Sequence, residues 1–177
     1  MNDVPVKIRK RNQWNVKEDN EYFTPDEVWN LILPYIPKSN TIYDPFYGDG
    51  RSGDYIRSQG YTVIHENEDC YDNYAKYDFD LILSNPPFST KKQVFQWLFA
   101  LNKPFIMLVP LATLSTNYVA EYLTKLKIII PRRRIHFYKE LNEDGSEKIL
   151  KRTSFDTVFL CYKCHFIPHS ISRVGTP

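Results

Sequence analysis

Apolar residues in this chain come in short unbroken runs, separated by stretches in which they recur every three or four positions. That is the pattern of buried strands alternating with amphipathic helices. The sharpest run, Phe79-Asp80-Leu81-Ile82-Leu83-Ser84, reads as a buried parallel strand that stops at Asn85-Pro86-Pro87-Phe88, because two prolines cannot extend a central strand. Upstream, Thr24, Pro25, Asp26 and Glu27 carry the marks of a capped helix start. Val28, Leu31, Ile32 and Tyr35 form one apolar face, so a helix is predicted from Thr24 to just before Pro37. A strand follows at Thr41-Ile42-Tyr43-Asp44, then a glycine turn, a helix from about Arg51 to Gln59 stopped by Gly60, and a strand over Tyr61-Thr62-Val63-Ile64-His65. The segment from Glu66 to Tyr77 is too short for a full helix plus a long strand.

Beyond the proline turn, a helix is expected from about Thr90 to Leu101, with Val94, Trp97, Leu98 and Leu101 on one face. Phe105-Ile106-Met107-Leu108-Val109 is another buried strand, and Ser115 is the expected cap of a helix carrying Val119, Tyr122, Leu123 and Leu126. Ile128-Ile129-Ile130 begins a strand that runs on past Arg132-Arg133-Arg134 through Ile135-His136-Phe137. Asn142-Glu143-Asp144-Gly145 is a turn signal, and Phe155 to Tyr162 is a last apolar strand, antiparallel beside its predecessor. The expected fold is α/β and Rossmann-like: a doubly wound, mostly parallel sheet with a C-terminal antiparallel hairpin. One folded domain is expected over residues 21–165, with a mobile basic arm at 1–20 and a tail at 166–177.

Length agrees with one domain, since 177 residues can bury a sizeable core. No run of about 18 apolar residues is present, so no membrane span is expected. The polar, basic start lacks the apolar stretch of a secretory signal, and the three cysteines are too few for a disulfide framework, so an intracellular protein is expected. A net charge of +2 hides an asymmetry: residues 1–88 carry 9 Lys/Arg against 15 Asp/Glu, and residues 89–177 carry 14 against 6. The basic half suits phosphates, and Lys7-Ile8-Arg9-Lys10-Arg11 would either follow a nucleic-acid backbone or form a solvated tail.

The proline turn offers a side-chain amide, a prolyl carbonyl and an aromatic ring at the carboxyl edge of the sheet, where α/β proteins place ligands; an amino group on a flat ring fits that set. Gly48 and Gly50 lie between a strand and a helix, where backbone amides can approach a ligand closely. Glu66 ends the next strand at about the distance where a carboxylate meets a ribose diol. A nucleoside-containing cofactor without a pyrophosphate fits these features better than a dinucleotide does. Lys91, Lys92, Arg132, Arg133 and Arg134 are candidate phosphate contacts, and the arginine triplet reads equally as a charged strand edge that resists aggregation. Cys161-Tyr162-Lys163-Cys164-His165 matches a haem-attachment pattern, which needs an exported chain. Zinc held by Cys161, Cys164, His165 and His169 conflicts with Cys161 lying in a buried strand, so no metal is expected.

Three motifs together resemble those of S-adenosyl-L-methionine-dependent methyltransferases, and among them the adenine-N6 amino methyltransferases of nucleic acids. Tyr22-Phe23-Thr24-Pro25 resembles motif X, Asp44-Pro45-Phe46-Tyr47-Gly48-Asp49-Gly50 motif I, and Asn85-Pro86-Pro87-Phe88 motif IV, in the order of the gamma arrangement and over roughly residues 20–163. The resemblance implies the class I methyltransferase fold and S-adenosyl-L-methionine as cofactor. It places Asp44, Phe46, Gly48 and Gly50 along the methionine portion, with Phe23, Thr24 and Pro25 holding that end. It gives Glu66 the ribose, sets Asp69 at the cofactor's adenine amine, and puts Asn85 at the junction of cofactor and target. Asn85 and the Pro86 carbonyl would draw on the two N–H groups of adenine, and Phe88 would stack on the base.

The resemblance leaves two rivals: methylation of a protein glutamine amide at N5, and an inactive nucleic-acid-binding subunit. The basic half and Phe88, where the glutamine enzymes usually show tyrosine, lean toward nucleic acid. The motif order leans slightly to DNA over RNA. Many gamma-type DNA enzymes carry a separate target-recognition domain after the catalytic one. None is expected here, which leaves recognition to a specificity subunit or homodimer, to a slight sequence preference, or to RNA shape.

Overall fold

Proline placement and strand alternation decide which of these elements form. The structure, a computed structural model, describes residues 22–143, 146–149, 155–169 and 171–174; the basic arm lies outside them. In chain order the elements are α1 (Asp26–Trp29), β1 (Thr41–Tyr43), α2 (Arg51–Ser58), β2 (Thr62–Ile64), α3 (Cys70–Asn73), β3 (Leu81–Ser84) and α4 (Lys91–Leu101). They continue with β4 (Phe105–Pro110), α5 (Asn117–Ala120), β5 (Leu126–Pro131), β6 (Tyr138–Leu141), β7 (Glu147–Ile149), β8 (Thr157–Tyr162) and β9 (Ile171–Val174).

Seven strands form one sheet in the order β2-β1-β3-β4-β8-β5-β9, and β6 and β7 form a separate hairpin. β2, β1, β3 and β4 run parallel, β8 inserts antiparallel between β4 and β5, and β9 lies parallel to β5 at the edge. The strands are apolar on both faces because both are covered. Ile42, Leu81, Leu83, Ile106, Leu108 and Phe159 pack in one core with Trp29, Ile32 and Ile56. Their neighbours Tyr43, Ile82, Phe105, Met107, Val109 and Leu160 pack in a second core with Val94, Phe95, Trp97, Leu98 and Val119. Alternate side chains of a strand point to opposite faces, so this is a doubly wound, Rossmann-like α/β fold. Among the described residues no helix is long and apolar enough to cross a membrane.

Four expectations need correction. The helix from Thr24 toward Pro37 breaks up: α1 spans 4 residues and a 3-10 turn at Leu33–Tyr35 follows. Pro34 has no N–H, and its ring clashes with the Asn30 carbonyl in a continuous helix. Pro25, not Thr24, occupies the cap position, and no side chain caps the start. The helix expected after Ser115 is likewise reduced to α5 between 3-10 turns, with the Ser115 hydroxyl donating to the Ala112 carbonyl. Leu126 leaves its helical face because it pairs with Tyr162 in the sheet.

The strand expected to run on to Phe137 ends at Pro131, which cannot donate to a ladder; Arg132 then donates its N–H to the Val174 carbonyl at 2.8 Å. The turn signal at 142–145 lies between β6 and β7, with Asp144 and Gly145 outside the described residues. The stretch read as a tail supplies β9. Its apolar pattern is only a few residues long and is interrupted by Arg173.

Candidate active site

β1 and β3 are parallel neighbours, with Tyr43 level with Ile82, so Asp44 and Ser84-Asn85 leave the sheet side by side at its carboxyl edge. Asp44 is buried, and its Oδ1 accepts the Ser84 hydroxyl and, at 3.4 Å, the Phe46 N–H. His65, just past β2, brings Nδ1 within 3.3 Å of Asp44 Oδ2 and 3.1 Å of the Asp44 carbonyl. Burial pushes the Asp44 carboxyl up from its ordinary value, opposed by His65 and by the Ser84 and Phe46 hydrogen bonds. The His65 ring stacks on Tyr47 at 4.8 Å. It fits only because residue 53 is glycine: a Cβ there would lie 2.5 Å from its Cδ2.

Gly48 and Gly50 adopt φ of +58° and +86°, the left-handed region that side chains disfavour. A Cβ at Gly48 would rest 3.4 Å from the Phe23 ring. Between the glycines, Asp49 accepts the Arg51 N–H through Oδ1 at 3.3 Å and the Tyr138 hydroxyl through Oδ2 at 2.6 Å. Phe23 and Tyr138 exchange main-chain hydrogen bonds of 2.9 and 3.1 Å. Thr24 follows, buried, and its hydroxyl has no hydrogen-bond partner among the described residues.

Asn85 donates its side-chain N–H to the Tyr22 carbonyl at 2.7 Å. A carbonyl can only accept, so the amide nitrogen faces Tyr22 and Oδ1 faces away; that oxygen is buried and has no partner among the described residues. Pro86 is buried. Phe88 is half-buried against Tyr22, Phe137 and Phe155, with ring centroids at 5.7, 6.2 and 5.3 Å. Lys91 holds its ammonium 5.3 Å from the Phe88 centroid, where partial burial lowers its pKa. Lys139 lies 4.9 Å from the Tyr22 centroid.

The remaining candidates stand in other settings. Glu66 is exposed past β2, and Phe46 is half-buried at the start of the glycine turn. Asp69 caps α3 by accepting the Tyr71 N–H at 2.9 Å. Glu68 is engaged by Lys76 at 2.6 Å and Tyr77 at 2.7 Å, and these bonds hold its carboxyl below the ordinary range. Lys92 is exposed on α4, and Arg132, Arg133 and Arg134 are exposed after β5, where Arg134 grips Asp156 through two bonds of 2.8 and 3.2 Å. Cys161 and Cys164 are buried, with burial pushing the Cys164 thiol up to about 12, while His165 and His169 are exposed.

The structure therefore gathers Phe23, Thr24, Pro25, Asp44, Gly48, Gly50, Asn85 and Phe88 around one sheet edge. It adds His65, Ser84, Tyr138 and Phe155, which sequence reading missed, and gives Tyr22, quoted there only within the motif X likeness, a contact with Asn85. Ser84 carried a usable signal, being a polar residue that ends an apolar strand next to a motif, and His65 likewise ends its strand just before the candidate Glu66. Tyr138 carried none, since its partner Asp49 is 89 positions away.

No protein-family model matches the chain, and no curated protein matches it. Among solved structures it is similar to a Listeria monocytogenes protein assigned to the class I S-adenosylmethionine-dependent methyltransferases, at 14% identity over 84% of this chain and 63% of that one, with a TM-score of 0.49. It is also similar to a TehB-like S-adenosylmethionine-dependent methyltransferase from Corynebacterium glutamicum, at 15% identity over 75% of this chain and 84% of that one, with a TM-score of 0.39. The chain thus spans less than two thirds of the length of the first.

Proposed function

We propose that this protein is an S-adenosylmethionine-dependent methyltransferase that methylates the N6 amine of adenine in nucleic acid, with DNA the favoured polymer. The observation that carries the reading is the Asn85 amide. Its nitrogen is committed to Tyr22, so a buried oxygen is left to accept one hydrogen from a donor such as an exocyclic amine.

The residues fit the cofactor. The two left-handed glycines keep the turn free of side chains, and the Gly50 N–H closes it on the Tyr47 carbonyl at 2.9 Å. Asp44 uses three of the roughly four acceptor positions of a carboxylate on Ser84, Phe46 and His65, which leaves one for the cofactor's ammonium group. The buried Thr24 hydroxyl is a further polar contact at the methionine end, and exposed Glu66 suits the ribose diol. When bound, the cofactor supplies a methyl group made electrophilic by a sulfonium.

The chain's own residues act on the acceptor. The adenine amine is a poor nucleophile because its lone pair is delocalised into the ring. Hydrogen bonds from its two N–H groups to Asn85 Oδ1 and the Pro86 carbonyl favour the pyramidal form, in which the lone pair stays on nitrogen. Phe88 stacks on the base and aims that nitrogen; as its bond to the methyl carbon forms, the carbon–sulfur bond would break with its electron pair left on sulfur, and the methylated ammonium so formed, a strong acid, releases its proton to water. Rate enhancement comes from orientation and electrostatics, not from a strong base.

The test is incubation with labelled S-adenosylmethionine and, separately, single-stranded DNA, duplex DNA, RNA and a glutamine peptide, followed by identification of the methylated product. N6-methyladenine in a nucleic-acid arm is expected, and the arm that labels identifies the polymer. Label confined to the peptide would replace adenine with a glutamine amide. Cofactor binding without transfer in any arm would point to a binding subunit.

A further inference from the structure

The glycine turn is held by a side chain from the separate hairpin. Glycines reach left-handed conformations readily but leave them as readily, so a turn carrying two of them needs an outside contact to select one state. Asp49 supplies that contact. One of its carboxylate oxygens receives the Arg51 N–H at the start of α2, and the other receives the Tyr138 hydroxyl at 2.6 Å. Tyr138 itself is 1% exposed. Its main chain is bonded in both directions to Phe23, its ring lies 5.5 Å from the Phe23 ring, and the Arg51 guanidinium sits 5.9 Å from its centroid. Arg51 in turn pairs with Asp26 at 3.2 Å. The residue before Phe23 is Tyr22, whose carbonyl takes the Asn85 amide.

A continuous set of contacts therefore runs from the glycine turn through Asp49, Tyr138, Phe23 and Tyr22 to Asn85. We propose that Tyr138 is a positioning residue: its hydroxyl fixes the glycine turn in its ligand-binding shape and ties it to the segment that orients Asn85. The inference rests on the proposed function in taking S-adenosylmethionine as the ligand of the turn. Ordering of the turn by a bound ligand then favours the arrangement that aims Asn85, and the converse holds with the same free energy.

Tyr138→Phe tests this without dismantling the fold. The ring and the main-chain bridge remain, and Asp49 is exposed, so its released oxygen is taken up by water. Three readouts are expected. Hydrogen exchange at the amides of 48–51 in the unliganded protein quickens several-fold. The Kd for S-adenosylmethionine by calorimetry and the cofactor KM both rise about five- to tenfold. Saturating cofactor orders the turn again, so kcat falls less than the cofactor affinity does, and the thermal midpoint stays near wild type, a split that general loss of structure would not produce. Asp49→Ala also gives up the Arg51 N–H bond, so its loss of affinity should be at least as large, and the double variant should be no weaker than Asp49→Ala alone, because the bond that Tyr138→Phe removes is already gone. Unchanged exchange at 48–51, unchanged cofactor affinity or additive losses overturn the proposal. If the wild-type protein binds no S-adenosylmethionine, the proposed function falls, and the exchange measurement alone decides the role of Tyr138.

Discussion

Asn85 and Tyr22, 63 positions apart, are joined by a 2.7 Å hydrogen bond that fixes which end of the Asn85 amide faces the ligand. Replacing Asn85 with alanine removes the acceptor and leaves the glycine turn and Asp44 in place. Transfer should fall by about 10²–10³, as for loss of one preorganised polar contact, with cofactor affinity within about twofold. Asn85→Asp should fail as well, because a carboxylate has no N–H for the Tyr22 carbonyl and would be repelled by it. Single-turnover assays with labelled cofactor, paired with calorimetry, separate the two effects. An Asn85→Ala protein that methylates at the parental rate would remove Asn85 from the mechanism.

The strand edge holding this pair was legible because its information is local. Leu81-Ile82-Leu83-Ser84 is a closed apolar run ended by prolines, and Asp44 ends the run beside it. Helical periodicity misled where a single residue overrides it: Pro34 breaks a face that Val28, Leu31, Ile32 and Tyr35 otherwise satisfy. Contacts between distant segments left no trace in any local pattern. Nothing near Tyr138 announces that its hydroxyl reaches Asp49, and nothing near Thr24 shows that its hydroxyl is buried rather than capping a helix. The same holds for β9, whose short stretch becomes a strand only because β5 offers it an edge.

Asp44 should make stability depend on pH. Burial raises its carboxyl above the ordinary 3.8, so the fold favours the protonated form. That contribution is complete below 3.8 and is lost as pH rises through the elevated value, above which the charged carboxylate is held buried. Asp44→Asn keeps an acceptor for Ser84 and Phe46 without the charge. Its stability relative to wild type should therefore be unchanged near pH 3.5 and improve toward neutrality, while cofactor affinity falls about tenfold or more for want of the counter-charge. Urea unfolding of both proteins at several pH values reads the first effect, and a difference that does not vary with pH would refute it.

Gly53→Ala should destabilise the protein although it lies within α2, where alanine favours helix by about 1 kcal/mol. The added Cβ would meet His65 at 2.5 to 2.7 Å, at ring atoms and at the His65 Cβ rather than at a mobile tip. His65 has nowhere to move without leaving Tyr47 and Asp44. Overpacking of this kind costs about 1–3 kcal/mol, so it outweighs the helix gain, and each net kcal/mol lowers the melting temperature by about 2–4 °C. A melting temperature equal to or above wild type would show that the His65 site is looser than its contacts imply.

The exposed arginines after β5 are the phosphate contacts that the proposed function calls for. If Arg132 and Arg133 meet phosphates, each contact releases counterions, and the slope of log affinity against log salt carries about 0.7 per contact on a single strand and about 0.9 on a duplex. Arg132→Ala combined with Arg133→Ala should flatten that slope by about 1.4 on a single-stranded oligonucleotide. Cofactor affinity should not change, because neither side chain belongs to the edge formed by Asp44 and the glycine turn. Fluorescence anisotropy across a salt series measures the slope directly. An unaltered slope would take the arginines out of the nucleic-acid interface. Unaltered methylation of a glutamine peptide by the same variant, with label absent from every nucleic acid, would turn the acceptor from adenine to protein.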